Sequence, residues 1–134
     1  MDFTIIIKPG LIGEKTDTVT EKNVAAFWGS GYLSVYSTPA MIALMEWAAL
    51  STVENLLPSG WSTVGTELNI KHVSATPLGM EIKARAELVN IDGRALSYKI
   101  EAFDEVGKIG EGTHKRFIVE NEKFMNKTNS KSIV

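Results

Sequence analysis

The sequence predicts an α+β domain in which an antiparallel sheet wraps around a central helix. A helix-forming apolar run covers residues 38–50, and after Gly60 come four long β-rich stretches separated by turn signals. Further β-like residues precede the helix, so strands flank it on both sides in the chain. With 134 residues, 44% apolar and 22% charged, the chain suits one domain, 1–134, with one core rather than two half-sized ones.

Residues 3–7 are β-rich and stop at Pro9-Gly10, and 15–20 alternate charge with Thr and Val; both read as edge strands or an opening hairpin. Residues 24–36 mix aromatics with glycines, as in Phe27-Trp28-Gly29-Ser30-Gly31-Tyr32, which suits a short helix and a pocket-covering loop. The helix beginning at Thr38 is expected to continue to Leu57 and stop at Pro58 and Gly60. Ser37 or Thr38 can cap it, Pro39 suits its first turn, and Ala, Leu and Met favour its interior. Its early part is apolar on nearly every side, so other structure should enclose it. The apolar run is too short for a membrane span and contains Glu46.

Strands are expected at 62–75, 81–91, 95–104 and 108–120, as a four-strand antiparallel meander. Pro77-Leu78-Gly79, Asp92-Gly93 and Val106-Gly107 separate them, and Asp92-Gly93 has the composition of a type I′ hairpin. The tail, 121–134, is polar and weakly patterned, and reads as frayed or accessory. A buried helix enclosed by such a sheet is the hot-dog arrangement.

Composition removes several function classes. The net charge is −2 with Lys and Arg dispersed, so neither a nucleic acid nor a membrane surface is an expected partner. The absence of cysteine excludes disulfides, thiolate nucleophiles and Cys-ligated zinc. The first eight residues have no basic leader and too short an apolar stretch for a signal peptide, which predicts a cytoplasmic protein.

Glu46 is the most informative residue. A carboxylate between Met41-Ile42-Ala43-Leu44-Met45 and Trp47-Ala48-Ala49 is either bonded to structure or functional. Apolar burial raises a carboxyl pKa, which suits an acid, a base or a nucleophile near neutral pH. Alternation places His72 on one face with Leu68 and Ile70, looking toward the helix, where it can orient a nucleophile or polarise a carbonyl. Thr38 offers a hydroxyl at the helix start, where free N–H groups favour an oxyanion; a plain N-cap is the alternative. In one continuous helix Thr38 and Glu46 stand about 12 Å apart along the axis. They share a site only if the helix begins later or if two subunits contribute. Gly65 can bring a backbone N–H close to a ligand or form a bulge. His114 and Arg116 share a strand face, and Arg116 either binds a carboxylate or coenzyme A phosphate or is simply exposed.

These stretches resemble the hot-dog fluoroacetyl-CoA thioesterase family. The resemblance runs from Thr38 through Leu44-Met45-Glu46-Trp47-Ala48, Gly65-Thr66 and His72-Val73-Ser74-Ala75-Thr76-Pro77-Leu78-Gly79 to Ile109-Gly110-Glu111-Gly112-Thr113-His114-Lys115-Arg116, in matching order and spacing. It implies hydrolysis of an acyl-CoA, with coenzyme A as part of the substrate and neither metal nor organic cofactor. It also implies a homodimer, or a dimer of dimers, with sites at the subunit interface. The family's catalytic threonine, glutamate and histidine match Thr38, Glu46 and His72, and its glycine matches Gly65. Glu46 would act as nucleophile or base, His72 would activate water or Glu46, and Thr38 would position or polarise. The paired phenylalanines that close the fluoroacetyl pocket are matched by Gly29 and Tyr32. A wider or more polar entrance, with Trp28 or Tyr36 taking part, points to a different acyl group. The competing functions are a non-catalytic acyl-thioester binding module and an enoyl-thioester hydratase or dehydratase. Neither histidine follows an aspartate at the Asp-x-x-x-x-His spacing usual in the latter.

Overall fold

The computed structural model describes residues 1–132; positions 133 and 134, the end of the expected tail, lie outside them. Five strands form one antiparallel sheet, β1 (Ile12–Thr18), β2 (Trp61–His72), β3 (Glu81–Asp92), β4 (Ala95–Phe103) and β5 (Lys108–Glu120), in the order β1-β3-β4-β5-β2. The helices are α1 (Ala25–Trp28), α2 (Thr38–Ser51) and α3 (Asn121–Asn129). The sheet curls around α2, which packs on β1, β2, β3 and β4.

Alternation selects the inner face of the sheet. Ile82, Ala84, Ala86 and Leu88 of β3, with Leu96, Tyr98, Ile100 and Ala102 of β4, are buried toward α2. The helix answers with Ala40, Met41, Leu44, Met45, Ala48 and Ala49. Small residues on both sides let helix and sheet approach closely. A Cβ built on Gly13 of β1 would collide with the Ala48 carbonyl and the Ser51 hydroxyl. Gly13→Ala is therefore expected to destabilise the fold by about 1–3 kcal/mol, read as a lower urea midpoint at unchanged slope.

Several expectations are corrected. The segment after Asp2 is a 3-10 helix, Phe3–Ile5, capped by the Asp2 carboxylate, and its edge-on Phe3–Trp61 contact and buried Ile7 bind it to the core. Phe3 and Ile7 are four apart and both buried, a helical spacing that the β-rich composition concealed. α2 stops at Ser51 rather than Leu57, where the Ser51 and Thr52 hydroxyls bond back to the carbonyls of Ala48 and Ala49, each at 2.7 Å. Only β3-β4-β5 is a meander. β2 crosses over to pair with β5, and the outer edge of β3 is taken by β1. The 77–79 turn therefore belongs to a crossover, which an isolated Val35–Pro77 bridge fastens to the loop before α2. The β3–β4 hairpin closes at the Asp92–Ala95 pair, so its loop is Gly93-Arg94. Positive φ occurs there only at Gly93, 61°, the pattern of a type II′ turn rather than I′. The tail is ordered as α3 and a following 3-10 turn, Ser130–Ser132, with its start tied by the Asn121 N–H to the Gly60 carbonyl at 2.9 Å. Among the described residues no helix is long and apolar enough to cross a membrane.

Candidate active site

Ser37 is the N-cap of α2, its hydroxyl accepting from the Ala40 N–H at 3.2 Å. Thr38, one position on, is thereby relieved of capping, and its Oγ1 lies 2.7 Å from Nδ1 of His72 at the end of β2. The pair sits in the wall of a cavity of about 420 Å³, shared with Tyr32, Leu33, Val35 and Ser74. That volume is in the range of small-molecule sites. Nε2 of His72 is buried without a hydrogen-bond partner, the only such side-chain atom among the described residues. Buried polar groups are normally paired, and leaving one unpaired costs about 1–3 kcal/mol, so this nitrogen is poised for a ligand. Desolvation, partly opposed by the Ser74 backbone, pushes the His72 pKa below its ordinary value and keeps the ring neutral at pH 7. Its tautomer sets its role. With Thr38 donating to Nδ1, Nε2–H is a free donor for a carbonyl; with Nδ1–H donating to Thr38, Nε2 is a free base.

Glu46 stands elsewhere on α2, and this corrects the picture of a carboxylate enclosed by apolar side chains. The exposed flank of the helix runs through Ala43 and Trp47, and the Glu46 side chain beside it is 38% exposed. Its Oε2 is 3.6 Å from Nη1 of Arg116. Arg116 is buried rather than exposed. Its Nε donates to the Thr63 hydroxyl and its Nη2 to the Thr63 carbonyl, both at 2.9 Å. Desolvation lowers its pKa, and Glu46 opposes that. The partner that Arg116 holds in this fold is thus an internal carboxylate, Glu46. Gly65 lies against this pair, where a Cβ would stand 2.8 Å from Glu46 Oε2 and 3.4 Å from Arg116 Nη1. The missing side chain is what gives the carboxylate its place.

A bulge joins the two clusters to one sheet face. Strict alternation would put Gly65 and His72, seven residues apart, on opposite faces. The register of β2 against β5 slips between Gly65 and Glu67, so Gly65 opposes Arg116 while Leu68 opposes His114 and His72 opposes Gly110. Both sites therefore face α2. They still do not meet within the chain, because α2 is continuous from Thr38 through Glu46.

The loop between α1 and α2 carries the expected pocket cover. Its base is fastened by the Val24–Tyr36 bridge and the Ala25 N–H to the Val35 carbonyl at 2.9 Å, while Tyr32 at its tip is 99% exposed. Gly29 caps α1 in the left-handed region, φ 72°. Tyr36 forms fixed wall rather than gate. Its ring is buried and its hydroxyl donates to Asp17 at 3.0 Å, and burial followed by the Asp17 charge pushes its pKa up. Trp28 lies instead beside Trp47 in a separate groove. Sequence reasoning did not pick out Ser37 as the sole cap or Thr63 as the anchor of Arg116. The parity of Thr63 and Gly65 on one strand face was the available signal for the latter.

A model of the fluoroacetyl-CoA-specific thioesterase family matches residues 19–122. The fluoroacetyl-CoA thioesterase of Streptantibioticus cattleyicolor is 39% identical over 98 residues, covering 73% of this chain and 70% of that protein. A solved structure of the fluoroacetyl-CoA thioesterase FlK superposes with a TM-score of 0.88 at 30% identity, over 93% of this chain and 97% of that one. A hot-dog-like protein from Thermanaerovibrio acidaminovorans shares the fold, with a TM-score of 0.88 at 20% identity over 98% and 97% of the two chains. The curled five-stranded sheet around one helix is thus a hot-dog fold, and the chain belongs to the fluoroacetyl-CoA-specific thioesterase family.

Proposed function

We propose that this protein is an acyl-CoA thioesterase that hydrolyses a small acyl-CoA to the free acid and coenzyme A. The observation that carries it is the Thr38–His72 pair at 2.7 Å in the cavity wall, with the buried Nε2 of His72 unbonded beside it. The thioester C–S bond breaks as an oxygen from water, or from Glu46 ahead of water, adds to the carbonyl; the departing thiolate takes up the proton. His72 and Thr38 polarise or deprotonate, and Glu46 serves as base or nucleophile. Protein groups and water suffice for this sequence, with coenzyme A entering as part of the substrate.

Completing the set takes two copies. β2 is an edge strand of twelve residues with Leu68 exposed on its inner face, so a second β2 can pair with it antiparallel. A two-fold axis near Leu68 and Asn69 would set Gly65 of one copy opposite His72 of the other, and so bring the Glu46 that abuts Gly65 toward the other copy's Thr38 and His72. Two copies would complete both sites. The gate supports a substrate other than fluoroacetyl-CoA, because Gly29 offers no ring and Tyr32 brings a hydroxyl to the cavity rim. A coenzyme A thioester substrate supports a cytoplasmic location.

The test is thiol release from a panel of short, branched, aromatic and fluorinated acyl-CoAs. Turnover of one acyl class supports the reading, and binding without hydrolysis replaces it with an acyl-CoA binding module. Since His72 must be neutral to accept a proton and its pKa is depressed, kcat/KM is expected to hold at pH 7 and fall on acidification. The limb should have an apparent pKa below 6.5, the ordinary histidine value, measured across buffers of constant ionic strength.

A further inference from the structure

A second histidine, unused by the chemistry above, lies behind Glu46. His114 of β5 is 1% exposed, with its ring centroid 6.1 Å from that of Tyr98. Its Nδ1 is 2.8 Å from the Glu67 carbonyl oxygen. A carbonyl only accepts, so Nδ1 carries the hydrogen. Its Nε2 is 3.3 Å from Nη1 of Arg116. A guanidinium only donates, so Nε2 presents its lone pair. One tautomer of the neutral ring satisfies both neighbours, whereas an imidazolium would set N–H against N–H.

The same contact completes the fixing of Arg116. Thr63 holds Nε and Nη2, which settles one edge of the guanidinium, and His114 takes one hydrogen of Nη1. The remaining Nη1 hydrogen is the one left for Glu46 Oε2 at 3.6 Å. We propose that His114, as the neutral Nδ1–H tautomer, is a positioning residue that aims Arg116 at Glu46 and so sets where that carboxylate stands for hydrolysis. The catalytic part rests on the thioesterase reading of Glu46 given above. The titratable groups around His114 are Arg116 on its own strand, Glu46 on α2 and Tyr98 on β4. Burial foremost, with the Arg116 charge, keeps the ring from protonating, against the pull of the Glu67 carbonyl and Glu46.

The experiment combines a spectrum with kinetics. In the uniformly nitrogen-15-labelled natural chain, His114 should show a protonated Nδ1 and a lone-pair Nε2 at neutral pH, with any titration displaced below that of a free imidazole. His114→Leu removes the acceptor, and His114→Gln returns one near the position of Nε2. Leu is expected to lower kcat roughly 10- to 100-fold with little change in KM and to shift the Arg116 Nε–H resonance. Gln should recover most of both. If Leu does not fold, the spectrum of the natural chain and the Gln variant decide. A protonated Nε2, or a folded Leu variant with unaltered kcat and an unmoved Arg116 resonance, overturns the proposal. Full activity in Glu46→Gln would instead overturn the role of Glu46 and the catalytic part of the inference, while the tautomer and the Arg116 resonance still report whether His114 holds Arg116.

Discussion

Glu46→Gln is expected to lower kcat by about 10²- to 10⁴-fold, the range of a lost general base, while the chain remains folded. The substitution preserves shape and removes charge. Glutamine still fits the space that Gly65 leaves open, and Arg116 keeps its bonds to Thr63 and His114. What Arg116 loses is its countercharge in a buried setting, so stability should fall by about 1–3 kcal/mol, less than for a fully enclosed pair because the Glu46 side chain is 38% exposed. Thiol release measures the first effect, and urea unfolding followed by circular dichroism measures the second. A folded variant with kcat within about threefold of the natural chain would remove Glu46 from the chemistry.

Mixing two inactive variants is expected to restore activity. Thr38→Ala disables the Thr38–His72 half-site and Glu46→Gln disables the other, so each homodimer carries the same lesion in both sites. In a mixed dimer of the proposed composite kind, one site collects both lesions and the other collects none. Random reassortment makes half the dimers mixed, so co-refolded equimolar variants should regain about a quarter of the natural rate. No recovery despite proven subunit exchange would show that each chain builds its site alone. The geometry argues against that outcome, since α2 keeps Thr38 and Glu46 about two turns apart on one rigid element.

Local chemistry accounts for what could be read without coordinates. The helix start follows from Ser37, Thr38 and Pro39, the short α1 and its loop from glycines among aromatics, and the strand spans from alternation between turn residues. The chemistry-bearing side chains Thr38, Glu46 and His72 stood out because hydroxyl, carboxylate and imidazole groups occur at those places in otherwise apolar patterns. The paired orientation of His114 and Arg116 followed from strand parity. Strand order did not follow, because β2 must choose between β3 and β5, and that choice depends on long-range pairing rather than on the 77–79 turn. The opening segment was misread because β-rich composition says nothing about whether a free strand edge awaits it.

What the sequence determined by itself is therefore the α+β hot-dog class, the central helix and the candidate groups for the chemistry, all set by propensities and spacings within a few residues. Only the tertiary structure decided how those groups face one another. The bulge after Gly65 reverses the parity of β2 and turns both Gly65 and His72 toward α2, and the burial of Arg116 turns an apparent surface cation into the holder of Glu46. Both depend on β2 lying beside β5, a contact between residues some fifty positions apart, and side-chain direction at such a pairing is fixed by the neighbouring strand rather than by the local sequence.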